Sequence, residues 1–133
     1  MEIPVNQPDT FGKPERESTG TMTVLDLIGE AADANPDRRV PAVKRILEGN
    51  GANIITFSFA PGQRLNDHKA AHPITVQCLR GTLDFSCEDT TVRMTPGTVL
   101  HLDPYVMHRV QCPDDTAEEQ SILLLHMLTG ETP

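Results

Sequence analysis

Five histidines carry most of the chemistry this sequence could do: His68, His72, His101, His108 and His126. A neutral imidazole both donates and accepts hydrogen bonds. Its ordinary pKa, about 6.5, suits proton transfer near neutrality, and its free nitrogen binds metals. His101 and Asp103 would point the same way along a strand, giving a possible His–Asp pair. His126 sits among Ile122, Leu124 and Leu128. It is either a polar group lining the interior or part of an interface. Cys78, Cys87 and Cys112 lie in or beside apolar stretches and read as buried thiols. Their odd number and the lack of CxxC spacing argue against a disulfide framework and for a reducing, cytoplasmic setting. The acidic run Asp114–Glu119 reads as a solvated loop.

These groups need elements to hold them. Residues 1–20 contain Pro4, Pro8, Pro14, Gly12 and Gly20 and read as an irregular arm, either mobile or draped over the domain. Thr23-Val24-Leu25-Asp26 has capping-box form, and Val24, Leu27, Ile28 and Ala31 share one helical face. Asn35-Pro36 stops the pattern. One helix over about 23–34 is predicted, within a helix-and-connection segment 21–39.

From residue 40 the period changes from about 3.6 to 2. Strands are predicted over 40–47, 53–60, 74–80, 83–87, 91–94, 99–102, 107–112 and 121–128. Asn50-Gly51, Pro61-Gly62, Gly81, Glu88-Asp89 and Pro96-Gly97 punctuate them. Short strands at this spacing predict an all-β, antiparallel sandwich or barrel over residues 40–129. Phe57, Val76, Phe85 and Leu124 are expected to line its interior, with Gln77 facing away from Val76. The last strand is apolar on both faces. One face must line the core, and the other needs a cover from the helix, the arm or a partner subunit.

Composition narrows the function classes. The chain has 133 residues, enough for one domain. Its net charge of −8 argues against a protein that tracks nucleic-acid phosphates. Four Phe, one Tyr and no Trp make a base-stacking platform improbable. No apolar run approaches the roughly 18 residues of a membrane span. The opening Met1-Glu2-Ile3-Pro4-Val5-Asn6 does not look like a signal peptide.

Two spacings stand out. Gly62 is followed after five residues by His68, and Gly81 closes that stretch. Pro96-Gly97 is followed at an offset of eleven residues from Gly97 by His108. Together they resemble the two motifs of the cupins, small jelly-roll barrels. The resemblance spans Gly62 to His108 directly, is extended by the surrounding strands to about residues 40–128, and implies a jelly-roll barrel there, after the helix and arm read above. It also implies a metal held by two histidines and a glutamate from the first motif and a histidine from the second. Of these, His68 and His108 are present. Ala70 stands at the second histidine position, and Pro73 or Ile74 at the glutamate position. In the second motif Asp103 and Tyr105 replace a proline and a glycine, with Pro104 between them.

His72 is the remaining candidate ligand. On a strand it shares a side with His68, but four residues span about 13 Å at roughly 3.3 Å per residue. His72 therefore joins His68 and His108 only if the chain bends near Pro73. A divalent transition metal on His68, His72 and His108 is one expectation. The other is a small molecule held by Phe57, Val76, Phe85, Tyr105 and His126. The favoured reading is a binding module for a small molecule, forming a homodimer, with a reduced or absent metal site. The alternatives are a metal-dependent oxygenase or isomerase using His68 and His108, and a partner module acting through the arm and the last strand.

Overall fold

A computed structural model describes residues 2–130 of the chain. The elements run β1 (Val5–Asn6), a 3-10 turn (Pro8–Phe11), β2 (Arg16–Glu17), α1 (Leu27–Glu30), β3 (Ala42–Glu48) and β4 (Ala52–Phe59). They continue with β5 (Arg64–Ala70), β6 (Ile74–Arg80), β7 (Leu83–Cys87), β8 (Thr90–Met94), β9 (Val99–Leu102), β10 (His108–Gln111) and β11 (Ser121–Leu128). The strands form two sheets, ordered β1-β5-β10-β7-β8 and β2-β3-β4-β11-β6-β9. Every pair is antiparallel except β1 with β5 and β2 with β3. The expected all-β jelly roll is thus the fold.

The core lies between the sheets. Ile55, Phe57 and Phe59 of β4 and Leu123, Leu125 and Met127 of β11 fill it from one sheet; Leu83, Phe85 and Val110 fill it from the other. Gly81 holds the β6–β7 turn at φ +77°, and a side-chain carbon there would collide with Ser121 Oγ and crowd the Ser121 backbone. Ser121 Oγ instead accepts the Thr82 N–H at 3.1 Å. Only glycine fits both requirements.

The predicted helix shrinks to one turn. Asp26, rather than Thr23, is its N-cap: its side chain accepts the Gly29 N–H at 3.2 Å, and Glu30 Oε2 accepts the Asp26 N–H at 3.1 Å. A side chain at position 29 would collide with the Asp26 carboxylate, so this tight cap needs the glycine. Val24, expected on the buried face, is 79% exposed. The one-turn helix buries no residue, so its apolar stripe has no core to face.

The arm is draped, not free. β1 adds to the edge of β5, and β2 adds to the edge of β3. Residues 4–18 therefore strap one sheet to the other. β5 was not predicted as an element, because Arg64-Leu65-Asn66-Asp67-His68-Lys69-Ala70 shows no clean apolar alternation.

In β11 the inward residues are Leu123, Leu125 and Met127. Leu124, expected to line the interior, lies on the opposite face with Ile122. Both are buried all the same, at 4% and 0% exposed. The chain's own connection is tied down on both flanks of that face. Its Glu30 carbonyl accepts Lys44 Nζ at 2.7 Å on one side, and its Ala34 N–H donates to Gln120 Oε1 at 2.9 Å on the other. Further along, buried Gln63 donates to the Asn35 and Arg38 carbonyls and accepts the Ala60 N–H.

Candidate functional site

Sheet register brings the two histidines together. β5 and β10 are neighbours, and His68 and His108 are direct partners across them. Directly paired residues point to the same face. The face is the inner one, so both rings enter the space between the sheets. Their centroids stand 4.2 Å apart in an edge-to-face arrangement. His108 also stacks on Phe85 of β7, at 5.2 Å and an interplanar angle of 13°.

The protonation of both rings follows from their partners. His68 Nδ1 lies 2.7 Å from the Asn66 carbonyl, and His108 Nδ1 lies 2.9 Å from the Val106 carbonyl. A carbonyl oxygen only accepts, so each Nδ1 carries the hydrogen. In the neutral ring Nε2 is then the lone-pair nitrogen. The neutral form is favoured at both. Burial, together with the neighbouring His68, pushes His108 down to about 4. Burial lowers His68 as well, against the opposing pull of the Asn66 carbonyl and Asp67. An imidazolium at His108 would have lost its hydration without gaining an anion, and at His68 burial outweighs the pull of Asp67.

Around the pair lies a cavity of about 20 Å³, whose other lining includes Phe57, Val76, Phe85, Leu125 and Met127. Among the expected ligand-binding residues, Phe57, Val76 and Phe85 line it. Tyr105 does not: it sits in a turn at φ +64° and is 57% exposed. His126 does not either. It lies on the outer face of β11, its Nδ1 3.1 Å from Thr75 Oγ1, and burial lowers its pKa. His72 falls in the bend between β5 and β6, after the strand carrying His68 has ended. Among the described residues no three or more His, Cys, Asp or Glu gather to hold a metal, so His72 does not complete a site with His68 and His108. Cys78 and Cys112 are fully buried, and burial raises both thiols, as expected of small core residues.

Sequence reasoning missed Phe11 and Asn6. Both come from the strap and both line the cavity. The Phe11 ring meets Phe57 edge-on at 5.4 Å. A lone phenylalanine in a polar, proline-rich arm was the available signal.

No protein-family model matches the sequence, and no curated protein sequence matches it. Solved structures do match. An uncharacterised conserved protein with a double-stranded β-helix domain from Klebsiella pneumoniae aligns with a TM-score of 0.69 at 15% identity, over 87% of this chain and 92% of that one. An RmlC-like cupin protein from Desulfovibrio desulfuricans gives 0.64 at 20%, over 80% and 97%. A cupin superfamily protein from Desulfitobacterium hafniense gives 0.62 at 17%, over 81% and 92%. The fold is the cupin fold.

Within that fold, the positions that depart from the cupin motif are filled by core. Ala70 is 6% exposed and Ile74 is 2% exposed. Both line the cavity, where the motif would place a histidine and a glutamate. Protein metal centres need about three or four donors. Two neutral imidazoles, with no third His, Cys, Asp or Glu gathered with them among the described residues, do not fit a resident divalent metal.

Proposed function

We propose that the protein is a cupin-fold module that binds a small, largely apolar molecule between its sheets. His68 and His108 accept hydrogen bonds from the ligand's donor groups. The observation that carries this reading is the pair of Nδ1–carbonyl bonds, which aims two lone-pair nitrogens into an apolar enclosure. An apolar cavity with a few convergent polar groups is the usual form of a small-molecule site. The metal-dependent oxygenase or isomerase reading has only two of its four expected ligands to rest on. A second copy of the chain is the other partner in this proposal.

The test is a thermal-denaturation screen against phenols, short alcohols and carboxylic acids. At saturation, a true ligand should raise the melting temperature by several degrees, since binding to the folded state alone contributes about 2.7 kcal/mol at a hundredfold excess over Kd. The shift should disappear in His68→Leu and His108→Leu. A screen in which nothing stabilises the wild type, or in which both variants respond like it, removes the reading.

A further inference from the structure

The cavity beside the two histidines is too small for the ligand its lining suits. About 20 Å³ accommodates roughly one water, whereas small-molecule pockets run to about 300 Å³ or more. More space lies beside it. A second hollow, of about 250 Å³, opens to the surface against Pro4, Leu65 and Asn66. It shares Asn6, Phe11, Phe57, Leu65 and His68 with the inner cavity. Phe11, carried by the strap, lines both. Its ring packs edge-on to Phe57, the contact a bound aromatic ring could also make there.

The strap that carries this ring is held by short elements, with Phe11 packed on the core and the Glu15 and Ser18 N–H groups donating to the Arg45 and Glu48 carbonyls further along. β1 is two residues long, and the β5 edge donates to it through Lys69 N–H to the Pro4 carbonyl and Ala71 N–H to the Asn6 carbonyl, both at 3.0 Å. No residue of the 3-10 turn that ends at Phe11 is fully buried. Beyond it, Arg45 Nη1 donates to the Gly12 carbonyl, and β2 is again two residues. Segments with few buried contacts open at a small fraction of the global unfolding cost.

We infer that Phe11 is an internal stand-in for the ligand: the strap lifts, and a compact aromatic molecule carrying a hydroxyl takes the place of the ring and donates to Nε2 of His68 or His108. This inference rests on the binding reading above and adds the ligand class and the route of entry. A phenolic hydroxyl fits because it donates to a neutral imidazole, while its ring replaces the edge-to-face contact with Phe57.

The probe is phenol, with benzene as the ring that lacks the donor, followed by NMR on the full chain. In wild type, saturating phenol should speed amide exchange at Lys69 and Ala71 at least tenfold, because the carbonyls they donate to leave with the strap. Benzene should bind at least tenfold more weakly. In Phe11→Ala, phenol should bind at least tenfold more tightly than in wild type. Any apolar cavity admits an aromatic ring, so the preference over benzene is the sharper readout, and His68→Leu/His108→Leu on the Phe11→Ala background should abolish it. If Phe11→Ala does not fold, Phe11→Leu and the wild-type exchange measurement decide the matter. Phenol bound to wild type with unchanged exchange at Lys69 and Ala71 overturns the strap as gate and leaves the barrel site standing. Equal affinity for phenol and benzene overturns the hydroxyl as the recognised group. No phenol binding to wild type or either Phe11 variant overturns the inference. Stabilisation by another class in the thermal screen would then leave the broader reading intact.

Discussion

At the position of His108, the favoured state of the protein is the uncharged one, and that has a thermodynamic consequence. Its folded pKa is about 4, below the ordinary value near 6.5. Between those values the unfolded chain binds the proton and the folded chain does not. Stability from this residue is therefore fully present above about pH 6.5 and is lost as pH falls towards 4. The groups facing it are His68, also held neutral, and the apolar ring of Phe85. The loss attributable to His108 is on the order of 3 kcal/mol across that window. Urea denaturation at pH 7, 5.5 and 4 should show the decline in wild type and a much flatter profile in His108→Leu. Parallel profiles for the two proteins would mean that His108 protonates freely in the folded state. The pairing with His68 was legible in the sequence, because two motif spacings placed both residues. The roles assigned to Tyr105 and His126 were not. Tyr105 takes a left-handed turn that turns it outward, and nothing in its neighbours announces this.

At the scale of the element, β11 shows why the inner face was misread. Ser121 to Leu128 is apolar on both faces, so the alternation that fixes direction in β4 carries no phase here. A register irregularity between Ile122 and Leu123 on the β6 side removes the remaining cue. The outward face is nevertheless dry, and this leaves two hydroxyls in an unfavourable place. Thr56 and Ser58, opposite Leu124 and Ile122, are 1% and 0% exposed, and neither hydroxyl has a hydrogen-bond partner among the described residues. A buried, unpaired hydroxyl costs roughly 1–3 kcal/mol. Thr56→Val keeps the shape and removes that cost, so it should stabilise the fold by about 1 kcal/mol in urea melts. A loss of stability of the same size would show that the hydroxyl is satisfied and that the cover is looser than it looks. Such a cover could not be read from residues 21–39, whose helical pattern suggested a longer helix. The Asp26 cap starts it three residues after Thr23, and the extended backbone of Ala31 (ψ 143°) ends it after one turn, leaving the remainder as irregular chain.

For the whole molecule, what matters is which sheet edges are left open. The strap closes one side, since β1 shields β5 and β2 shields β3, each presenting only two residues. β8 and β9 are the remaining edges, and they are guarded differently. β8 carries exposed Thr90, Thr91 and Arg93, with Arg93 paired to Asp84 at 2.9 Å. Charge and polarity of that kind discourage edge-to-edge pairing. β9 reads Val99-Leu100-His101-Leu102, with no Lys, Arg, Asp or Glu and with Val99 54% exposed. The homodimer expected from the sequence would therefore form along β9, two copies meeting antiparallel about a twofold axis. Each chain carries a net charge of −8, which repels a second copy at long range and is screened by salt. The dimer should accordingly strengthen as ionic strength rises, the opposite of a contact built on ion pairs. Val99→Lys places a charge on the open edge and should shift the equilibrium to monomer while leaving the melting temperature of the monomer unchanged. Sedimentation equilibrium over a range of protein and salt concentrations reads both effects. A single monomeric species throughout, in wild type and variant alike, would mean that β9 is an edge the protein leaves unpaired.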